Sequence, residues 1–109
     1  MSLDADGIFR KVEGAGLDWA DKKSAFELLD DMTSTVKADL TTDFYVTCTS
    51  KAEAEQRALA SSRYKEHIAS LSDARRQWLH AEVRYKSAQL LAELRRSEES
   101  RSAPLPTAS

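Results

Sequence analysis

Proline and glycine are scarce in this 109-residue chain. There are two prolines and three glycines, and both prolines, Pro104 and Pro106, lie among the last six residues. Because these are the residues that interrupt helices and form tight turns, their scarcity argues against a sheet protein with many turns. Charged residues make up 31% and hydrophobic residues 41% of the chain, and this profile is typical of long helices.

Several features that would point to other classes of protein are also missing. Cys48 is the only cysteine, so no disulfide can form within the chain, and a reducing cytoplasm is the simplest compartment. There is no run of about 18 apolar residues for a membrane span, and the acidic residues 1–6 do not resemble a signal peptide. We therefore expect a cytoplasmic protein without a membrane segment.

The sequence offers little for catalysis or metal binding. It has no phosphate-binding loop, nucleophile elbow or metalloprotease motif. His67 and His80 are thirteen residues apart, without further ligands at metal-binding spacing. Cys48 has no neighbouring histidine or basic cluster, so we expect an unreactive, buried or partly buried thiol. These observations predict a protein that is not an enzyme and uses no cofactor or metal.

The net charge of −2 is unevenly distributed. Residues 1–50 carry five Lys and Arg against ten Asp and Glu, which gives −5, whereas residues 51–109 carry eleven against eight, which gives +3. An acidic front half and a basic rear half suit either antiparallel self-association or a separate anionic partner.

Residues 62–100 have the strongest pattern in the chain, an apolar position at every seventh residue, with alanine three residues after each of the middle three. The sevenfold positions are Tyr64, Leu71, Trp78, Tyr85 and Ala92, and the alanines are Ala74, Ala81 and Ala88. Alternation of large and small side chains on one helix face is typical of a coiled-coil contact. A second apolar strip lies on a different face of the same helix, and since one partner helix cannot cover both, the strips predict a homo-oligomer. That strip consists of Ile68, Leu79, Val83, Leu90 and Leu94.

In the front half, the sequence predicts a short helix over 3–13 and a break at Gly14–Gly16. Asp18 is then the predicted N-cap of a helix over about 18–42. Two of its heptad contact positions, Lys22 and Thr33, are polar and weaken the predicted apolar contact there. The full set of contact positions is Trp19, Lys22, Phe26, Leu29, Thr33, Val36 and Leu40.

Between the long helices, residues 41–50 are β-branched and aromatic. A helix end followed by a connection is the favoured interpretation, and a short strand pair across a dimer is the alternative. A short helix over 51–60 follows, then a break and cap at Ser61 and Ser62, and residues 101–109 are predicted to be a disordered tail.

The resulting fold prediction is all-α. We expect a single helical domain over 1–100, built as an elongated antiparallel helical hairpin with one long C-terminal helix and assembling into an oligomeric helical bundle. The predicted packing and oligomer contacts are Tyr64, Ile68, Leu71, Trp78, Leu79, Tyr85, Leu90 and Leu94.

The polar side of the long helix carries basic residues that could follow a phosphate backbone. An ordinary solvated face with salt bridges such as Glu82–Lys86 explains the same residues. Tyr64, Trp78 and Tyr85 could stack on bases, although their sevenfold spacing favours core packing. The candidate nucleic-acid contacts are Arg63, Lys65, Arg76, His80, Arg84 and Arg95.

Five segments, Ala52–Arg57, Ser62–Ile68, Ala74–Arg76, Ala81–Tyr85 and Leu94–Ser100, resemble small helical proteins encoded by tailed bacteriophages and prophages. That family is more distantly similar to UvsY-type recombination mediators. The resemblance implies an oligomeric, non-enzymatic accessory protein of DNA recombination or replication in a bacterial host. Its partners would be single-stranded DNA, a recombinase or a single-strand-binding protein. The alternative function is a helical adaptor or inhibitor that binds a protein and has no nucleic-acid role.

Overall fold

The computed structural model describes residues 4–102 and contains three α-helices. Helix α1 spans Ala5–Tyr45, α2 spans Lys51–Ala60 and α3 spans Ser62–Ser102. The molecule measures 90 × 27 × 15 Å, and residues 4–102 include no β-strand. The prediction of an elongated all-α fold is therefore confirmed, whereas assembly into an oligomeric bundle stays a prediction.

Helices α1 and α3 run side by side in opposite directions. The ring centroids of Trp19 and Tyr85 are 5.9 Å apart, and those of Phe26 and Trp78 are 5.3 Å apart with the rings stacked. A step of seven residues forward along α1 thus corresponds to seven residues backward along α3. The two long helices form an antiparallel hairpin, as the heptad pattern predicts.

We call the contact between α1 and α3 the seam. Its residues are buried or half-buried at the predicted heptad positions of both helices. In α3, Ala81 is fully buried and Ala88 is 3% exposed. Because these side chains are so small, the two backbones can approach closely, while the aromatic rings fill the space between them. The seam is therefore the hydrophobic core of the hairpin.

The two polar positions of the predicted seam both have partners. The Thr33 hydroxyl lies 2.9 Å from Nε2 of His67 on α3, so a hydrogen bond crosses the seam there. Lys22 is half-buried and its ammonium lies 3.8 Å from the carboxylate of Asp18. Neither residue leaves an unpaired polar group in the contact, which explains why the helices stay together at these positions.

The predicted helix break at Gly14–Gly16 is wrong, because α1 continues through it without interruption. Glycine disfavours helix by only about 1 kcal/mol per residue, and packing along the seam outweighs this penalty. A Cβ atom at Gly16 would lie 3.0 Å from the Tyr85 ring, whereas one at Gly14 would have no atom within 4 Å. Gly16 therefore provides the space in which Tyr85 packs.

The ends of α1 also differ from the sequence prediction. Asp4, and not Asp18, is the N-cap, since its carboxylate accepts a 2.6 Å hydrogen bond from the backbone N–H of Gly7. At the other end, the β-branched run remains helical as far as Tyr45. The hydroxyls of Thr41 and Thr42 donate to carbonyls one turn earlier, at 2.7 and 3.0 Å, an arrangement that lets threonine sit in a helix.

The start of α2 is capped by side chains in a variant of the capping box, in which the glutamate bonds the residue before the N-cap. The Ser50 hydroxyl accepts from the backbone N–H of Glu53, and the Glu53 carboxylate accepts from both the backbone N–H and the hydroxyl of Thr49. The hydrogen bond from the Thr49 side chain is the main reason that the pKa of Glu53 lies below its usual value, with smaller contributions from the Thr49 backbone and Arg57. These contacts explain why the predicted short helix begins at Lys51.

Helix α2 packs mainly against α1. Because only residues 46–50 connect the two helices, α2 lies at the Tyr45 end of α1, where Ala54 and Ala58 are fully buried. Ser61 then has extended backbone, and its hydroxyl accepts from the N–H of Tyr64. The predicted break and cap between α2 and α3 is thus present.

Helix α3 begins and ends close to its predicted limits. It starts at Ser62 and includes Arg101 and Ser102, which belong to the predicted tail. The remainder of that tail, 103–109, lies outside the described residues.

Candidate binding surfaces

The predicted nucleic-acid contacts do not share one face of α3. Lys65, Arg76 and His80 are exposed on the side away from α1. Arg63 and Arg84 are exposed beside α1, and Arg95 lies at the seam end near Ile8. The structure therefore brings Lys65 and Arg76 onto one surface and separates them from Arg95.

Ion pairs within the chain involve most of these basic residues. Arg84 lies 3.4 Å from Asp18, and Arg63 lies 3.6 Å from Asp43, so both pairs join α3 to α1. Two further pairs are local to α3, between Arg76 and Asp73 and between Arg95 and Glu99. All of these pairs are at least partly exposed, and pairs of this kind contribute only about 0–1 kcal/mol each.

The predicted packing residues fall into two groups. Those of the first group lie in the seam and are half-buried; they are Tyr64, Leu71, Trp78 and Tyr85. Those of the second group are between 39% and 56% exposed; they are Ile68, Leu79, Leu90 and Leu94. The hairpin thus covers one apolar strip of α3 and leaves the other in solvent.

On a helical wheel, where successive residues are about 100° apart, the exposed leucines of α3 fall close together. We define the outer face of α3 as the arc of the wheel, about 100° wide, that is centred on these leucines. Every residue in the arc is exposed, and its only charged residues are basic. Its apolar members include Val83, which is 64% exposed. The outer face of α3 comprises Lys65, Ile68, Ala69, Ser72, Arg76, Leu79, Val83, Lys86, Ser87, Leu90, Leu94, Ser97 and Arg101.

Helix α1 has a corresponding outer face, which the sequence analysis missed. Leu17 and Leu28 are 61% and 62% exposed, and they lie eleven residues apart, about three turns, on the side away from the seam. This spacing was the available signal, but the stronger heptad of the seam obscured it. We define the outer face of α1 as an arc of the same width, about 100°, centred on Leu17 and Leu28. Its charged residues are all exposed and mostly acidic, so this face is strongly acidic. They are Asp6, Arg10, Glu13, Asp21, Asp31 and Asp39.

The two long helices differ in net charge as a whole. Helix α1 carries five basic and nine acidic residues, which gives −4, and α3 carries nine basic and six acidic residues, which gives +3. The hairpin therefore has an acidic edge and a basic edge on opposite sides of the seam.

Shallow grooves lie where the two helices meet. One of about 320 Å³ is lined by Ile8, Phe9 and Ala92 near the end of the hairpin, and another of about 440 Å³ is lined by Ala15, Val83 and Ala88, among others. Both grooves are open to solvent. They are continuous with the helix surfaces and offer apolar area for a partner side chain.

Two buried side-chain nitrogens in the seam are unpaired. The indole nitrogens of Trp19 and Trp78 have no hydrogen-bond partner among residues 4–102, and an unpaired buried N–H of this kind reduces stability by about 1–3 kcal/mol. Cys48 is half-buried in the connection between α1 and α2. Within residues 4–102, no group of three or more His, Cys, Asp or Glu could hold a metal ion.

Comparison with known proteins adds no further constraint. No protein-family model matches the sequence, and no curated protein and no solved structure is significantly similar to the chain. None of the described helices combines the length and apolar character needed to cross a membrane. The surfaces of the hairpin are therefore the basis for a functional proposal.

Proposed function

We propose that this chain is a non-enzymatic accessory protein that acts by binding another protein through the outer face of α3. The observation that carries the proposal is the exposed apolar strip on that face, between 39% and 64% exposed from Ile68 to Leu94. An exposed row of large apolar side chains is characteristic of an interaction surface, and helical partners dock on such rows through side chains at successive turns.

The basic residues on the same face indicate the chemistry of the partner. Arg76 and Lys86 lie among the leucines, and the arc contains no acidic residue. The aliphatic stems of Arg and Lys extend the apolar area while their charged groups remain at the rim. The surface therefore fits a partner helix that combines apolar and acidic residues. The resemblance described above makes a recombinase or a single-strand-binding protein the first candidates.

Retention of proteins from a cell lysate tests this function. Immobilised wild-type protein and the double variant Leu79→Ser, Leu90→Ser should be incubated with a lysate of bacteria that express the unaltered chain, and bound proteins, further copies of the chain included, quantified by mass spectrometry. We expect at least one protein to be retained about tenfold less by the variant. Losing two apolar contacts reduces the free energy of binding by more than roughly 1.4 kcal/mol, which is the amount that corresponds to a tenfold change in affinity.

The matched control makes the same two changes on the other helix, as Leu17→Ser, Leu28→Ser. This immobilised control should still retain the proteins that bind the outer face of α3 directly. Equal retention by the wild type and the α3 variant, each with unchanged helix content by circular dichroism, would refute protein binding at this surface.

Single-stranded DNA is the second candidate ligand. What favours it is the set of basic residues on the outer face of α3, where Lys65, Arg76, Lys86 and Arg101 occur without an acidic neighbour in the arc. A flexible single strand can follow basic residues spaced along a helix more easily than a rigid duplex can. On this hypothesis the protein acts in DNA recombination or replication, as the resemblance implies.

Fluorescence anisotropy with a labelled oligonucleotide tests DNA binding. We expect weak binding that prefers single strands to duplex, shows no marked sequence preference and decreases steeply between about 50 and 200 mM salt, because binding releases counterions. Lys65→Glu, Arg76→Glu should abolish it, whereas the control Arg10→Glu, Lys11→Glu on α1 should have little effect. If the wild type does not bind at low salt, or if the two variants bind alike, this candidate is eliminated.

A further inference from the structure

The outer faces of α1 and α3 match each other in both charge and spacing. We propose that the protein that occupies the outer face of α3 is a second copy of this chain, which contributes the outer face of its α1. This inference rests on the proposed function, because it identifies the partner of that same surface.

Charge complementarity is the first argument for a second copy. Within the two arcs, the outer face of α3 has four basic residues and no acidic one, and that of α1 has five acidic residues and one basic one. Like faces would repel each other, whereas α3 against α1 brings faces of opposite charge together. The partner that the basic face requires, apolar and acidic on one helix, is thus present in the chain itself.

The spacing of the leucines gives a register for the contact. Leu79 and Leu90 are eleven residues apart on α3, and Leu17 and Leu28 are eleven residues apart on α1. An antiparallel alignment that places Leu79 opposite Leu28 therefore also places Leu90 opposite Leu17. Each pair combines side chains that are at least 42% exposed in the hairpin, so the contact would bury apolar area that is otherwise in water.

The charged residues agree with the same register. Three basic residues of the outer face of α3 are separated by ten and then fifteen residues, and three acidic residues of the outer face of α1 are separated by the same intervals in reverse order. At about 1.5 Å per residue, these steps are about 15 and 22 Å on both helices. In the leucine register the opposed pairs are Arg76 with Asp31, Lys86 with Asp21 and Arg101 with Asp6.

The side chains in these pairs are available for a new contact. Asp6, Asp21 and Asp31 are exposed and form no ion pair with another described residue. Within the described part of the chain, Arg76 and Lys86 pair only with a residue of their own helix one turn away. Such exposed local pairs contribute little, so an intermolecular partner can replace them at small cost.

The position of the two faces determines the kind of assembly. They lie on opposite edges of the hairpin, so a molecule that binds one neighbour through α3 still presents α1 to another. The interface is heterologous, and repetition gives a closed ring or an open filament. Relative to the Phe26–Trp78 pairing within one hairpin, the proposed register is shifted by three residues, about 4.5 Å. Neighbouring hairpins would therefore lie side by side, with their ends offset by only this distance.

Charge reversal tests this arrangement by sedimentation velocity over a range of protein concentrations. Wild-type protein should associate, and more weakly at high salt. Two double variants, Arg76→Glu, Lys86→Glu on α3 and Asp21→Lys, Asp31→Lys on α1, should each shift the midpoint of association at least about tenfold to higher concentration, because like charges then face each other.

Mixing the two variants is the decisive measurement. The reversed α3 of one variant is complementary to the reversed α1 of the other, and their unaltered faces also match, so an equimolar mixture should regain alternating assembly. The quadruple variant should recover for the same reason. The control Arg75→Glu, Arg96→Glu makes the same charge change on α3 outside the outer face, and it should associate like the wild type.

Three outcomes would overturn the proposal. A wild-type monomer at every concentration would exclude self-association, while the retention experiment would still decide whether α3 binds a different protein. Association lost in the α3 variant but kept in the α1 variant would indicate a symmetric α3–α3 contact. Failure of the mixture to recover, with both variants folded by circular dichroism, would show that the two faces do not meet.

Discussion

Replacing Trp78 by alanine should lower the free energy of unfolding by about 3 kcal/mol. The Trp78 ring stacks on Phe26 across the seam, and deletion of a packed tryptophan usually reduces stability by about 3–5 kcal/mol. We expect the lower end because Trp78 is only half-buried and its indole N–H has no acceptor in the described part of the chain. Alanine also removes that unpaired donor, which offsets part of the loss. Urea unfolding followed by circular dichroism measures the change.

Phe9→Ala is the matched control for Trp78→Ala. Phe9 is also a large aromatic residue, but it is 65% exposed, so its removal should change the free energy of unfolding by less than about 1 kcal/mol. If Trp78→Ala leaves the unfolding midpoint unchanged while a binding activity disappears, Trp78 contacts a ligand and does not stabilise the seam.

Enlarging Ala81 to leucine should be the next most damaging change. Ala81 is fully buried where α1 and α3 approach each other, and the added carbon atoms have no space unless the helices separate. Overpacking of this kind reduces stability by about 1–3 kcal/mol. Separation would also disturb the neighbouring Trp78 and Tyr85 layers, so we expect a value towards the upper end, again from urea unfolding.

Ala20→Leu makes the same substitution at an exposed position of α1. Alanine and leucine have similar helix propensities, so this control should remain within about 0.5 kcal/mol of the wild type. Equal stability of the two leucine variants would mean that Ala81 does not lie at a close approach of the helices, and the described seam would be incorrect.

The seam could be predicted from the sequence because its periodicity is strong and local. Aromatic and alanine positions at sevenfold spacing define which side of α3 is covered, whatever the partner. The covering helix α1 carries the same period, and residues such as Thr33 fit once His67 supplies a hydrogen bond across the seam. Helix limits at Lys51 and Ser62 were also predictable, because serine caps act within a few residues.

One wrong prediction depends on a contact that is distant in the sequence. Gly14 and Gly16 suggest a break when they are considered alone, and only the position of Tyr85 on the other helix explains why residue 16 is a glycine within a continuous helix. The separation of Arg84 and Arg95 from Arg76 is a local property, because at about 100° per residue they lie roughly 80–100° around α3 from Arg76, whereas the sequence prediction grouped all three on one polar side. The acidic outer face of α1 was missed because the stronger heptad of the seam obscured the spacing of its leucines.

The two tryptophans of the chain both lie in the seam, one against Tyr85 and the other against Phe26. Neither lies on the outer face of α1 or α3. Intrinsic fluorescence therefore reports on opening of the hairpin, whereas joining of hairpins edge to edge leaves the surroundings of both indoles unchanged. Opening of the hairpin can thus be followed by fluorescence in the unlabelled protein without interference from association between molecules.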